Sequence, residues 1–236
     1  MSHHIIEFKD VEYSYPDETK ALDKISFRIT HGESIAFIGA NGAGKSTLLL
    51  HLPGILKHSA GEITIGEIQM RKETIQRIRQ SVGMVFQNPD DQLFMPRVYD
   101  DVAFGPSNMR LSAEEVEKRV IESLKQVGAE HLINKAPYKL STGEKRAAAI
   151  ASVLSMKPDI LVLDEPCSSL DPHSRRVLIN LLLKFSHTKI IATHDMSLAK
   201  ELCSRVIILE KGKILADGTP DIIFNDKKLL EKARIL

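Results

Sequence analysis

The segment Gly39-Ala-Asn-Gly-Ala-Gly-Lys-Ser46, followed by Thr47, fits G-x-x-x-x-G-K-[ST] and lies between an apolar run and a helical run, the context a phosphate-binding loop requires. Gly39, Gly42 and Gly44, with Asn41 between them, let backbone N–H groups turn inward around phosphate oxygens, and the helix start adds partial positive charge. In such a loop Lys45 reaches the β- and γ-phosphates and the Ser46 hydroxyl ligates Mg²⁺. A second constellation is Ile160-Leu-Val-Leu163 followed by Asp164-Glu165. It sets two acids at the C-terminal end of a buried strand, where open α/β sheets bind ligands. There Asp164 holds Mg²⁺, usually through water, and Glu165 polarises the attacking water of a hydrolysis. His194, after Ile190-Ile-Ala-Thr193, stands at another strand end and is a candidate γ-phosphate contact. Finally, Leu140-Ser-Thr-Gly-Glu-Lys-Arg146 precedes an Ala-rich run; Ser141 and the amides after it form a second anion-binding helix start. One active site needs one cradle, so the second points to service in another subunit. The other histidines show no metal-ligand spacing, and His3-His4 reads as a solvated terminus.

These residues need an α/β frame. Ile5–Phe8, Ile25–Ile29, Ser34–Ile38, Glu62–Ile65 and Val82–Phe86 read as strands, with a turn at Tyr15–Glu18 and a helix at Ser46–Leu52 closed by Pro53-Gly54. Val116, Val120, Leu124 and Val127 share one helical face. Ser112 with Glu115 reads as a capping box, and Gly128 as the stop. Glu144–Met156 reads as a second helix before Pro158, so the middle of the chain is a helical insertion. Strand signals return at Ile160–Leu163 and Lys189–Thr193, with helices at Ser174–Phe185 and Ser197–Cys203. Val206–Leu209 and Lys213–Leu215 form a hairpin, and Thr219-Pro220 starts a last helix.

Composition narrows the function classes. The 236 residues allow one large or two small domains, and 43% hydrophobic with 27% charged residues is ordinary globular usage. A formal net charge of +1 argues against a protein whose main task is wrapping nucleic acid. Cys167 and Cys203, far apart in sequence, fit a reducing compartment rather than a disulfide framework. No apolar run reaches the roughly 20 residues of a membrane span, and Met1–Ile5 has no signal-peptide character. A soluble, cytosolic chain is expected, docking at any membrane through a partner.

Taken in order, these motifs resemble the ATP-binding subunit of an ABC transporter over nearly the whole chain. Gly39–Thr47 matches the phosphate loop, Gln87 the Q-loop glutamine, Leu140–Arg146 the signature, Asp164-Glu165 the Walker B pair, Ser168-Ser-Leu-Asp171 the D-loop and His194 the H-loop. The resemblance implies an α/β P-loop NTPase of ABC type over residues 1–236. Its core and β region take 1–87 and 157–236, with a mostly parallel core sheet and an antiparallel β region, and a helical subdomain takes about 88–156. It implies ATP and Mg²⁺ as ligands, the ion held by Ser46, Gln87 and Asp164, with Glu165, His194 and Gln87 catalytic. It also implies a head-to-tail dimer, with itself or a paralogous ATPase, in which Ser141, Gly143 and Asp171 meet the nucleotide on the other subunit's phosphate loop. Tyr15 resembles the aromatic residue that stacks on adenine; Tyr13 shares its face in an extended stretch and stays an alternative, as does simple packing of both at a sheet edge.

Phe86-Gln-Asn-Pro-Asp-Asp-Gln-Leu-Phe94 with Asp101-Val-Ala-Phe-Gly-Pro106 is similar to ATPases of energy-coupling-factor importers. Gly143–Ile150, Thr188–His194 and Ala216-Asp-Gly218 look most like the cobalt/nickel members. That class implies a transmembrane coupling protein and an integral substrate-binding protein as partners, a place at the cytoplasmic face of the membrane, and docking of short helices around Gln87–Phe94. The alternatives are a vitamin importer such as one for biotin, an ordinary ABC importer, a soluble ABC-type ATPase, and a small-molecule kinase. The chain departs from the pattern where Thr142 replaces the signature's first glycine, adding a Cβ that crowds nucleotide or forces negative φ. Glu144 replaces the usual Gln, and Cys167 stands where Thr is frequent and reads as a small packing residue.

Overall fold

The computed structural model describes residues 6–235; the readings at Met1–Ile5 lie outside them. In chain order the strands are β1 (Ile6–Ser14), β2 (Lys20–Ile29), β3 (Ser34–Ile38), β4 (Ala60–Ile65), β5 (Ile68–Gln69), β6 (Val82–Val85), β7 (Ile160–Asp164), β8 (Thr188–Thr193), β9 (Arg205–Glu210) and β10 (Lys213–Gly218). The helices are α1 (Lys45–His51), α2 (Ile75–Ser81), α3 (Val98–Asn108), α4 (Ala113–Gln126), α5 (Thr142–Leu154), α6 (Pro172–Lys184), α7 (Met196–Leu202), α8 (Pro220–Asn225) and α9 (Lys227–Lys232). The chain divides into two compact units, one of residues 1–82, 159–164 and 186–236, the other of 83–158 and 165–185.

The first unit carries two sheets. Strands β2-β1-β4-β5 pair antiparallel. The β2 pattern turns Ile25, Phe27 and Ile29 inward, the period-2 alternation of a half-buried strand. In the other sheet β9, β3, β8 and β7 run parallel, and β10 closes the edge antiparallel to β9. Every residue of β7 and β8 is buried, as continuous aliphatic runs in a parallel sheet must be. Phe27 joins the sheets, stacked on Phe8 at 4.6 Å and edge-on to Phe37 of β3 at 5.3 Å. Leu48 and Leu49 of α1, with Leu52 behind them, are fully buried, each contributing on the order of 2 kcal/mol by leaving water.

The second unit holds α3 to α6. Helix α4 starts at Ser112, whose hydroxyl accepts from the Glu115 amide, and Gly128 at φ 69 ends it. Only half of the expected capping box forms, because the Glu115 carboxylate takes Arg119 Nε at 2.7 Å instead. Helix α3 was not anticipated, since Pro106 inside it reads as a breaker. The structure supplies a remedy: the Val102 carbonyl, four residues back, accepts the Ser155 hydroxyl at 2.8 Å. Helix α2 was also missed, being polar apart from Ile75 and Ile78, of which only Ile78 is buried. Residues 165–185 group with the helical middle, whereas the sequence reading placed them with the core. Leu178 and Leu181 of α6 line the same cavity as Leu132 and Ile150, which shows the packing behind that grouping. Among the described residues no helix is long and apolar enough to cross a membrane.

Candidate functional site

The parallel registers pair Ile38 with Thr193 and Asp164 with Ala192. Gly39, Asp164 and His194 therefore sit at the C-terminal edge of three adjacent strands, β3, β7 and β8, where ligands of open α/β sheets bind. The sequence produces this edge through three aliphatic runs that each end in a polar residue or glycine.

At the end of β3 the chain folds into the predicted loop. Gly44, the residue before α1, has φ 104, and its helix start has no side-chain cap. The first-turn amides are left for a ligand. A Cβ on Gly44 would stand 2.6 Å from the Ala21 carbonyl oxygen, so both conformation and space demand glycine. Gly42 has φ 79 and open space where a Cβ would be. Lys45 is nearly buried at 7% exposure and its Nζ donates to the Gly39 and Ala40 carbonyls at 2.7 and 3.1 Å. The ammonium thus braces the loop around the space it would share with phosphate. Asn41 and the Ser46 side chain are exposed, and Thr47 is buried.

Thr47 links the loop to the aromatic pair. The Tyr15 and Thr47 hydroxyls are hydrogen-bonded at 2.8 Å, and Tyr13 stands edge-on to Tyr15 at 5.1 Å and to His51 at 5.0 Å. Tyr15 is the more exposed tyrosine and touches the loop; Tyr13 packs behind it. His51 is fully buried, with Nδ1 2.7 Å from the Thr47 carbonyl. A carbonyl only accepts, so Nδ1 carries the proton. Burial holds this imidazole below its ordinary pKa, and it stays neutral.

Asp164 is 4% exposed at the end of β7. Glu165 follows it in the chain, at the start of the second unit's later stretch, buried and at φ 45. A left-handed glutamate is strained, and such residues gather at functional positions. The Glu165 carbonyl closes the next turn by accepting the Ser168 amide and hydroxyl at 3.1 and 2.9 Å.

Elsewhere in the second unit, the exposed Ser141 caps α5 in a complete capping box. Its hydroxyl accepts from the Glu144 amide at 3.3 Å, and the Glu144 carboxylate accepts from the Ser141 amide at 2.8 Å. Those bonds, the Ser141 amide first, hold the Glu144 carboxyl below its usual range. This helix start therefore carries a carboxylate of its own, with Lys135 Nζ 3.3 Å away. Thr142 is exposed and begins the helix with negative φ. Asp171 caps α6, accepting from the His173 and Ser174 amides at 2.9 and 3.1 Å; the Ser174 hydroxyl is the main cause of its lowered pKa. A Cβ on Gly143 would come 3.3 Å from Ser174 Oγ, so Ser141, Gly143 and Asp171 form one cluster.

Sequence reasoning passed over Arg146. It is 2% exposed, and its guanidinium donates to the Phe86 carbonyl at 2.7 Å, to the Gln87 carbonyl, and to Ser168 Oγ at 3.5 Å. The Gln87 side chain is exposed, and the segment beyond it is pinned. Gln92 accepts from the Phe86 amide at 3.2 Å and donates to the Ala149 carbonyl at 2.7 Å. Asp101 accepts from the Phe94 and Met95 amides at 3.0 and 3.1 Å. An arginine two residues beyond the signature glutamate was the only available signal. Of the two cysteines, Cys167 is half-buried, and burial pushes the Cys203 thiol up to about 12.

The donors fit Mg²⁺. The first unit offers a hydroxyl and one carboxylate, both hard oxygen donors, and the described residues contain no cluster of three His, Cys, Asp or Glu that could hold a metal. Mg²⁺ is typically bound through one or two carboxylates plus substrate phosphates rather than in an all-protein cage.

Comparison with known proteins gives the family and the fold. The ABC transporter family model matches residues 22–168. The energy-coupling factor transporter ATP-binding protein EcfA of Methanothermobacter thermautotrophicus is 50% identical over 236 residues, covering 98% of this chain and 76% of that protein. The structure of cbiO1 from Clostridium perfringens, part of the ABC transporter complex cbiONQ, is 40% identical with a TM-score of 0.84, covering 99% of this chain and 95% of that one. The ATP-binding cassette MJ0796, solved as a dimer in a post-hydrolysis state with ADP and Pi, is 28% identical with a TM-score of 0.82, covering 91% and 98%.

Proposed function

This chain belongs to the ABC transporter family as an ATP-binding subunit of energy-coupling-factor type, and we propose that it energises import of cobalt or nickel ions by ATP-driven closure of a dimer. The observation that carries the ATPase reading is the phosphate loop, with its uncapped α1 start at Gly44 and Lys45 held against the loop carbonyls. The likeness to cbiO1 supports the metal cargo.

Residues 1–236 act as one ATPase domain. The amides after Gly39, Asn41, Gly42 and Gly44 hold the phosphates, Lys45 and Thr47 flank them, and Tyr15 supports adenine. Ser46, Asp164 and Gln87 are the residues assigned to Mg²⁺, which when bound neutralises phosphate charge. Glu165 orients the attacking water and accepts its proton, and His194 contacts the γ-phosphate. Ser141, Gly143 and Asp171 meet the nucleotide of a second ATPase subunit, head to tail, as the dimeric state of MJ0796 supports. The chain sits peripherally at the cytoplasmic face of the cell membrane, on a transmembrane coupling protein that carries an integral substrate binder; nucleic acid has no part. In the second unit, Phe94, 63% exposed, and Phe104, 44% exposed, meet edge-on at 5.2 Å beside the pinned segment. Such a surface aromatic pair suits a coupling helix.

Mass spectrometry of the proteins that co-purify with this chain from detergent-solubilised native membranes tests the reading. A transmembrane coupling protein with a small integral binder is expected. Recovery only with ribosomes, nucleic acid or no partner would remove the transporter and leave the ATPase.

A further inference from the structure

In the first unit, a hollow of about 520 Å³ lies between the chain after α1 and the segment leading into α2. It shares no residue with the phosphate loop. Its floor is apolar, from Leu56, Met70 and Ile75. Its rim carries four cations, Lys57, Arg71, Lys72 and Arg79, against one carboxylate, Glu73. The whole chain has a formal net charge of only +1, so this is a local concentration of positive charge.

Among the described residues, none of the four cations is paired with a carboxylate. Arg79 donates to the Pro53 and Gly54 carbonyls at 3.1 Å each, and Arg71 to the Gln69 side chain. These neutral acceptors fix the guanidiniums without cancelling their charge. Arg205, by contrast, bonds both Asp217 and Glu33. A further polar group is His58, which lines the same hollow and whose Nδ1 is buried with no hydrogen-bond partner. A buried polar atom without a partner is costly, and so is a ring of like charges. One anion relieves both. Donors from three separate segments, 57–58, 71–72 and 79, suit tetrahedrally arranged oxygens better than the two coplanar oxygens of a carboxylate.

We propose that this hollow binds a phosphate-bearing group, either the headgroup of an anionic phospholipid or free phosphate. The apolar floor accommodates the first acyl or glycerol carbons of a lipid. The unpartnered His58 nitrogen supplies the hydrogen bond, and Lys57 and Lys72 supply charge free to move onto the ligand. The site goes beyond the ATPase reading and stands or falls separately from it.

The test follows the imidazole ¹⁵N resonances of the full chain, with His58 assigned by its loss in His58→Gln, during titration with sodium phosphate against sodium chloride at constant ionic strength. Co-sedimentation with phosphatidylglycerol and with phosphatidylcholine vesicles runs in parallel. The His58 signal is expected to shift saturably with phosphate, and the chain to sediment with phosphatidylglycerol vesicles alone if the source is lipid. In Lys57→Ala/Lys72→Ala either affinity falls about tenfold, the effect of losing two exposed charge contacts, while ATP affinity and melting temperature hold. A phosphate shift without vesicle binding assigns free phosphate. No response to phosphate or to either vesicle overturns the site. So does an equal response to chloride, or binding that the double variant leaves intact. Loss of ATP affinity in that variant would assign the phosphate response to the nucleotide loop and overturn it too.

Discussion

Glu165 tests the site through its backbone. At φ 45 it occupies the left-handed region, which costs an L-residue about 1–2 kcal/mol. Glu165→Ala and Glu165→Gly remove the same carboxylate and contacts, so their difference reports the backbone alone. At an ordinary position glycine is the worse residue by about 0.5–1 kcal/mol, through the entropy it loses on folding. Here the sign reverses. Subtracting that entropy from the relieved strain leaves Glu165→Gly more stable than Glu165→Ala by about 0.5–1 kcal/mol. At roughly 2–4 °C per kcal/mol for a chain of this size, the glycine variant should melt about 1–4 °C higher.

Calorimetry and ATP turnover on the same two samples make the comparison. Both variants should lose turnover equally, by about 10²- to 10⁴-fold, the range for an absent general base, and both should still bind ATP. An alanine variant as stable as the glycine variant, or more so, refutes the strained backbone. Turnover surviving in both refutes the water-orienting role, whatever the melting temperatures.

Lys45→Ala should weaken ATP binding about 10- to 100-fold, one charge-assisted contact; unchanged affinity by titration calorimetry would remove the phosphate loop from the site. His51 has its pKa lowered by burial, so the unfolded chain binds its proton first. The imidazole's contribution is therefore full above the unfolded pKa and lost as pH falls through the folded one. The urea midpoint should drop between pH 7.5 and 5.5, and His51→Gln should flatten that drop; parallel pH profiles would contradict it. Thr142→Gly should keep ATPase activity within about threefold, because Thr142 is exposed at the helix start, where a Gly costs on the order of 1 kcal/mol or less. A larger loss in steady-state turnover would give the threonine a part in nucleotide contact.

The sheet edge was legible because each strand of the parallel core announces itself by a continuous aliphatic run, and the chemistry begins where the run stops. Ile38, Leu163 and Thr193 mark those ends in sequence, and Gly39, Asp164 and His194 follow them in space. The helical middle was less legible. Pro106 argues against α3 until the Ser155 hydroxyl, far along the chain, takes the carbonyl that proline frees. Gln92 and Asp101 look like surface polar residues until their amide partners are known. Arg146 looks like one more charge beside a motif, although burial and three acceptors make it the tie between α5, Gln87 and Ser168. Long-range hydrogen bonds leave no periodicity, so sequence patterns do not disclose them.

The signature shows the reverse, a local rule overlooked because a motif lay over it. Ser141-Thr-Gly-Glu144 is S-x-x-E, a capping box on its own terms, and the structure completes it. Read against a family pattern, Thr142 and Glu144 are two departures. Read as a helix start, Glu144 is a sound choice, and Thr142 needs no left-handed backbone. A glutamine at 144 would keep the box, since either side chain reaches back to the Ser141 amide, but would remove the carboxylate from the place proposed to face another subunit's phosphates. The carboxylate's favourable place at the helix N-terminus and the binding of another anion there therefore compete at this residue. Lys135, with its Nζ 3.3 Å from that carboxylate, sets the balance by offsetting a charge the helix start alone would favour.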